Sequence, residues 1–401
     1  MPTTLRRNGY EAADIHKKIA LLINNLINIK DTTGEFLLRL DDGRVIDTKG
    51  WNDWEWTHGI GLYGLYQYHT LTGSASALKI IEDWFAARLA EGTTKNINTM
   101  AVFLTLAYVY EETRNQSYVP WLESWAEWAM HDLPRTPFGG MQHITYAADN
   151  TNELWDDTLM MTVLPLAKIG KLLNRPHYVE EAKLTGLFFH GWKFDSQAPG
   201  GFGHNFAQAR WARGNSWITI VIPDFIELLD LPPNDALRIH LIDTLQAQCL
   251  ALKNLQAAGG LWRTLLDVPE NEGSYVEASA TAGFAYGILK AARKRYIGHE
   301  YEDVALRALH AVISKVNTDG ELLDVSFGTG MGHDLQHYKD IPLTSMPYGQ
   351  SMCIMALGSS SEHSYEMLDR CPFEFELWFW LVKVVPSIDT STVKAVKAWI
   401  R

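Results

Sequence analysis

The sequence predicts an all-α fold, an (α/α)6 barrel of six helical hairpins, with residues 1–401 forming a single domain. Three observations lead there. Apolar residues recur at helical spacing over residues 100–110, 159–173, 217–229 and 278–292, while alternating strand patterns are scarce. An apolar helix, a short polar turn, a tyrosine and a second amphipathic helix return as a unit. The turns inside these units are short, whereas the segments between them are long and rich in Trp, His, Asp and Gly.

The units run in order. GLYGLYQYHTLTGSASALKIIEDWF is a compact early hairpin. VYEETRNQSYVPWLESWAEW, AKIGKLLNRPHYVEEAKL and LKAARKRYIGHEYEDVALRAL follow, marked by Tyr118, Tyr178 and Tyr301. The first two tyrosines are about sixty residues apart and the third lies about twice that further on, so a member belongs near residue 238. There the turn at 229–233, with Pro232 and Pro233, precedes a helical pattern over 235–251. An open solenoid of the same hairpins would need polar caps at both ends.

Composition narrows the function. The chain is 47% hydrophobic and 20% charged with a net charge of -12, so it is globular and presents a repulsive mean field to phosphate backbones and anionic membranes. Nucleic acid and membrane are therefore not expected partners. The first residues carry no apolar run of signal-peptide length, and no later run approaches the ~18 residues of a membrane span, so a cytoplasmic protein is expected. Cys249, Cys353 and Cys371 are odd in number and far apart, which fits reduced thiols. HExxH, GxSxG, the Walker loop and CxxC are absent, and Gly328–Gly332 reads as a loop.

What remains is a carboxylate-based site. Asp156 and Asp157 open a helix, where adjacent acids point about 100° apart, so one can cap or face solvent while the other turns inward. Trp51, Trp54 and Trp56 fall within six residues among polar side chains, and this spacing does not let all three face one core. A flat aromatic surface for sugar rings is one use for them.

Four segments together, 155–161 (WDDTLMM), 189–192 (FHGW), 211–217 (WARGNSW) and 275–279 (YVEAS), resemble the unsaturated rhamnogalacturonyl hydrolases of glycoside hydrolase family 105, in order and spacing, over about residues 51–357. The resemblance implies an (α/α)6 barrel without metal or cofactor. It implies removal of a 4,5-unsaturated uronic acid from the non-reducing end of lyase-generated, pectin-type oligosaccharides. In that chemistry an acid protonates C4 of the enol ether, water adds at C5, and the hemiketal collapses. Asp157 matches the catalytic aspartate, and an apolar, Trp-lined pocket would raise its pKa as a general acid requires. His143, His190, Arg213, Trp217 and Trp56 match substrate-binding positions, with Arg213 suited to the uronate carboxylate and Trp217 to covering the sugar. Where relatives can carry a second aspartate, this chain has Asn98, readable alternatively as a helix N-cap. An amide does not take a proton from water, which removes a two-aspartate mechanism at that position but leaves hydrogen bonding to a sugar hydroxyl or to Asp157.

Residues 358–401 do not continue the resemblance. A monomer or weak homo-oligomer is expected. Two rival readings are a sugar epimerase or isomerase on the same barrel, recruiting His190 and His204, and a helical-repeat scaffold. Convergence of Asp157, His190, Arg213 and Trp217 on one place separates enzyme from scaffold.

Overall fold

The computed structural model describes residues 6–7, 10–40, 43–184, 190–197, 203 and 206–369. Among them, twelve helices of nine residues or more succeed one another: α1 (Ala12–Asn28), α2 (Trp56–Thr72), α3 (Ala75–Glu91), α4 (Val102–Thr113), α5 (Val119–Glu127), α6 (Leu164–Leu172), α7 (Pro176–Leu184), α8 (Ala212–Leu229), α9 (Ala236–Leu255), α10 (Ala278–Arg293), α11 (Glu302–Ser314) and α12 (Pro347–Asp369). Burial sorts them. The odd-numbered helices bury one stripe, such as Ala77, Ile81, Trp84 and Phe85 in α3 or Leu241, Leu245, Cys249 and Leu252 in α9, and the spacing near four places each stripe on a single face. The even-numbered helices are buried nearly all round, as along the whole of α10. They form the inner ring.

The ring closes. α2 packs on α4, α4 on α6, α6 on α8 and α8 on α10. Backbones approach closely at Gly287 of α10, where an added Cβ would lie 2.6 Å from the Thr219 carbonyl carbon of α8. Gly283 of α10 faces Met352 of α12. α12 returns to α2, where the Ser351 hydroxyl donates to the Ile60 carbonyl and an added Cβ on Gly64 would lie 2.9 Å from the Ser351 carbonyl oxygen. A closed α/α barrel, not an open solenoid, is the result.

Because each inner helix is followed by an outer one, the inner helices share a direction and their N-termini gather at one end. Long segments enter there, carrying the antiparallel pairs Leu37–Arg39 with Val45–Asp47, Glu153–Trp155 with Gly191–Lys193, and Trp262–Arg263 with Val276–Glu277. Six helix N-termini also direct their partial positive charge to this end, which favours an anionic ligand. Tyr118, Tyr178 and Tyr301 stand at or just before the first turns of outer helices, and α9 begins where the missing repeat is expected.

Some boundaries differ from the sequence reading. The helix expected from Thr99 starts with a separate turn, Ile97–Met100, and its cap is Asn96 rather than Asn98: the Asn96 side chain accepts from the Thr99 N–H in a capping box. The helix over 159–173 opens with a single π turn, Leu159–Val163, a feature that often marks functional positions. Residues 1–361 make one compact unit and 362–401 group apart. The turn at 198–201, Cys371 and the tail from 370 lie outside the described residues. Cys249 and Cys353 are buried free thiols, and burial pushes both up to about 12. No described helix is long and apolar enough to cross a membrane.

Candidate active site

The site lies where those N-termini meet. Strand Glu153–Trp155 pairs with Gly191–Lys193, and the backbone bond from Asp156 N–H to the His190 carbonyl, 3.1 Å, fixes the two acids beside the histidine. Asp157 is the more accessible, its side chain 15% exposed. Its Oδ1 accepts from the Trp217 indole N–H at 3.2 Å, and its Oδ2 stands 3.5 Å from His190 Nε2. The Tyr338 hydroxyl, which already accepts from the Gly332 N–H, is 2.6 Å from His190 Nδ1. The Tyr338 hydroxyl thus anchors the imidazole through Nδ1 and turns Nε2 toward Asp157. His143 lies behind, stacked on Trp155 at 4.2 Å between centroids and bonded through Nδ1 to Thr158 Oγ1 at 2.8 Å.

Asp156 is buried with neither carboxylate oxygen hydrogen-bonded. It packs against Gly214, where an added Cβ would come 2.7 Å from its Oδ1. Burial, followed by the charge of Asp157, raises Asp156 well above the usual carboxylate range. Burial also acts to raise Asp157, but His190 at 3.5 Å, with His143 and Arg213 beyond it, holds it below its ordinary value. This corrects the expectation that Asp157 itself carries a raised pKa. Burial also lowers His190, and it pushes His143 down to about 4, so near neutral pH the lasting positive charge here is that of Arg213. The adjacent acids titrate as a pair, and burial makes Asp156 the harder of the two to ionise.

Arg213 and Trp217 are both engaged by partners within the protein. Arg213 is 1% exposed, its Nη1 and Nη2 donate to the Ser326 and Phe327 carbonyls at 2.7 and 3.0 Å, and its guanidinium lies over Trp211 and Tyr348. It clamps the segment leading to Gly328, with help from the Tyr348 hydroxyl on the Ser326 carbonyl and from Glu277 on the Ser326 N–H. Trp217 is wholly buried and offers Asp157 a donor rather than the sugar a face.

An open cavity of about 580 Å³ lies at this end, lined by Glu55, Trp56, Asn98, Trp155 and the loop Phe327–Met331 among others. Of the three clustered tryptophans, Trp51 and Trp54 are core, and only Trp56, partly exposed, turns to the cavity. Trp56 stacks on Tyr348 and meets Trp217 edge-on at 6.2 Å, which links the cavity wall to Asp157. Asn98 Nδ2 donates to Glu55 Oε1 at 2.9 Å. Glu55, the N-cap of α2, is 2% exposed, and burial pushes it up to about 8 despite the donors from Asn98 and the Trp56 N–H.

Asp157, His190 and Trp217 thus meet directly, with Arg213 and His143 packed around them and Trp56 and Asn98 facing the cavity. The convergence removes the scaffold reading. His190 is engaged by Tyr338 and Asp157, and His204, the other histidine of the epimerase reading, lies outside the described residues. Sequence reasoning missed Glu55, a residue that reads as an ordinary cap, Tyr338, and the loop at 328–331. Asp156, Asp157 and His190 bring ligand-type atoms within 4.8 Å of one another, but the Arg213 charge beside them suits a shared proton better than a cation.

Comparison with known proteins identifies the family. The family model described as Glycosyl Hydrolase Family 88 matches residues 28–362. The unsaturated rhamnogalacturonyl hydrolase YesR of Bacillus subtilis strain 168 is 27% identical over 321 residues, 76% of this chain and 88% of that protein. A crystal structure of a possible member of the GH105 family from Salmonella enterica serovar Paratyphi A is 60% identical, with a TM-score of 0.85 over 90% of this chain and 97% of that one. A second possible GH105 member, from Klebsiella pneumoniae, is 58% identical, with a TM-score of 0.85 over 89% and 95%. The chain belongs to the family 88/105 group of glycoside hydrolases.

Proposed function

We propose that this glycoside hydrolase removes a 4,5-unsaturated uronic acid from the non-reducing end of lyase-generated oligosaccharides of the pectin or rhamnogalacturonan type, in the cytoplasm, by hydrating the enol ether. The observation that carries the reading is Asp157, held by the Trp217 indole N–H and 3.5 Å from His190 beside the buried Asp156, with Trp217 meeting the cavity-lining Trp56 edge-on. The substrate's carboxylate enters beside Asp157 and raises it, so the proton of the pair moves to Asp157. Asp157 passes that proton to C4. The ring oxygen stabilises the positive charge at C5, water adds there, and Asp157 takes a proton from the water, restoring the pair. The hemiketal opens and the aglycone leaves from C1.

Labelled water tests where the new bond forms. In H2¹⁸O, product sampled before carbonyl exchange should carry the heavy oxygen at C5. Direct displacement of the glycosidic bond would put it at C1 and overturn the proposal.

A further inference from the structure

Asn98 makes one side-chain hydrogen bond among the described residues: its Nδ2 donates to Glu55 Oε1 at 2.9 Å. Both residues line the cavity, and Asn98 is half-buried while Glu55 is nearly inaccessible. Glu55 is itself held. It caps α2, its Oε2 accepts from the Trp56 N–H, and its own N–H donates to His58 Nδ1. An amide has one donor end and one acceptor end. With Nδ2 committed to Glu55, the end left for the cavity is Oδ1. Because the Trp56 N–H keeps Oε2 an acceptor, the amide holds this sense while Glu55 is ionised, and the assays below are run above about pH 8, where it is.

We propose that Glu55 is a positioning residue that fixes the polarity of Asn98, so that Asn98 Oδ1 faces the cavity as an acceptor for an O–H donor. Asn98 then does by amide oxygen what a carboxylate oxygen would do at the same place, without adding a negative charge beside Glu55. The donor is either the water that adds to the substrate or a hydroxyl of the bound sugar. The inference rests on the hydrolase reading above.

Four proteins test it: wild type, Glu55→Gln, Asn98→Asp and the double variant, assayed for kcat and KM on unsaturated disaccharides. In Glu55→Gln the new amide can donate, so Asn98 turns over and shows its N–H to the cavity. kcat/KM should fall at least about tenfold, the scale of a misplaced hydrogen bond. Asn98→Asp alone sets two carboxyls against each other and should also fall. In the double variant the amide introduced at position 55 donates to the carboxylate introduced at position 98. An oxygen again faces the cavity, and activity should return to within about threefold of wild type. A loss confined to kcat identifies the water as the donor; a loss confined to KM identifies a sugar hydroxyl.

A double variant as poor as the product of the two singles overturns the proposal, as does a Glu55→Gln enzyme of wild-type activity. Melting temperatures of all four separate lost capping from lost polarity, because rescue of activity without rescue of melting temperature cannot come from stability. Wild type inactive on every unsaturated uronide would instead refute the hydrolase reading. The polarity is then read without substrate, as hydrogen-exchange protection of one Asn98 side-chain N–H in wild type that is lost in Glu55→Gln; equal protection in both overturns it.

Discussion

Replacing Arg213 by Met distinguishes a structural clamp from a carboxylate-binding arm. The side chain is 1% exposed, and its two Nη groups serve the buried Ser326 and Phe327 carbonyls. Met fills a similar volume but donates nothing, so two carbonyls lose their partners at about 1–3 kcal/mol each. Loss of the guanidinium from between Trp211 and Tyr348 adds roughly 0.5–2 kcal/mol. The sum is about 2.5–8 kcal/mol, on the order of 10 °C in melting temperature for a chain of this size. Removing the positive charge also raises both acids, because Arg213 lowers each of them. Urea and thermal unfolding read the stability, and steady-state kinetics read kcat and KM. Expected is a markedly less stable enzyme with kcat reduced and its pH profile displaced. Wild-type unfolding with a raised KM alone would refute the clamp and return Arg213 to direct binding of the uronate.

Other consequences can be measured separately. Trp217→Phe removes the indole N–H from Asp157, and losing a donor to a carboxylate raises its pKa. The alkaline limb of kcat/KM should move up by about one unit while kcat falls, and an unmoved limb would contradict the role. Glu55 is raised from 4.5 to about 8, so its stability contribution is complete below about 4.5 and is lost as pH rises through about 8. Wild type should accordingly lose melting temperature relative to Glu55→Gln between pH 5 and 8.5, and a constant difference would show that Glu55 does not titrate there. Gly64→Ala forces a methyl toward the Ser351 carbonyl at the seam where α12 meets α2, and should cost about 1–3 kcal/mol in urea unfolding. An unchanged midpoint would mean that the seam is looser than described.

Much of this was legible in the sequence because the two rings follow different burial rules. The stripe of α3 and the all-round apolar run of α10 are both visible as strings of letters, and tyrosines such as Tyr118 and Tyr178 mark where outer helices begin. Asp157, His190 and Trp217 were legible as a group because their segments resemble those of a known family, and they do come together. Their individual roles were less so. Arg213 reads as a carboxylate partner, yet its partners are backbone carbonyls more than a hundred residues away, and carbonyls leave no trace in a sequence. Trp217 shows an aromatic letter, but the atom that matters is its N–H. Burial drives Asp156 up while Asp157 is held down, a difference between two adjacent identical residues that the sequence presents as equals.

The most direct test of the account is the decay of the ultraviolet band of the conjugated 4,5-double bond when enzyme is added to lyase-generated unsaturated disaccharides. Wild type should abolish the band. Asp157→Asn should fold normally and slow the decay by roughly 10²- to 10⁴-fold, the usual share of general acid–base catalysis. Decay at more than about a tenth of the wild-type rate in a folded Asp157→Asn protein would contradict the claim that Asp157 delivers the proton.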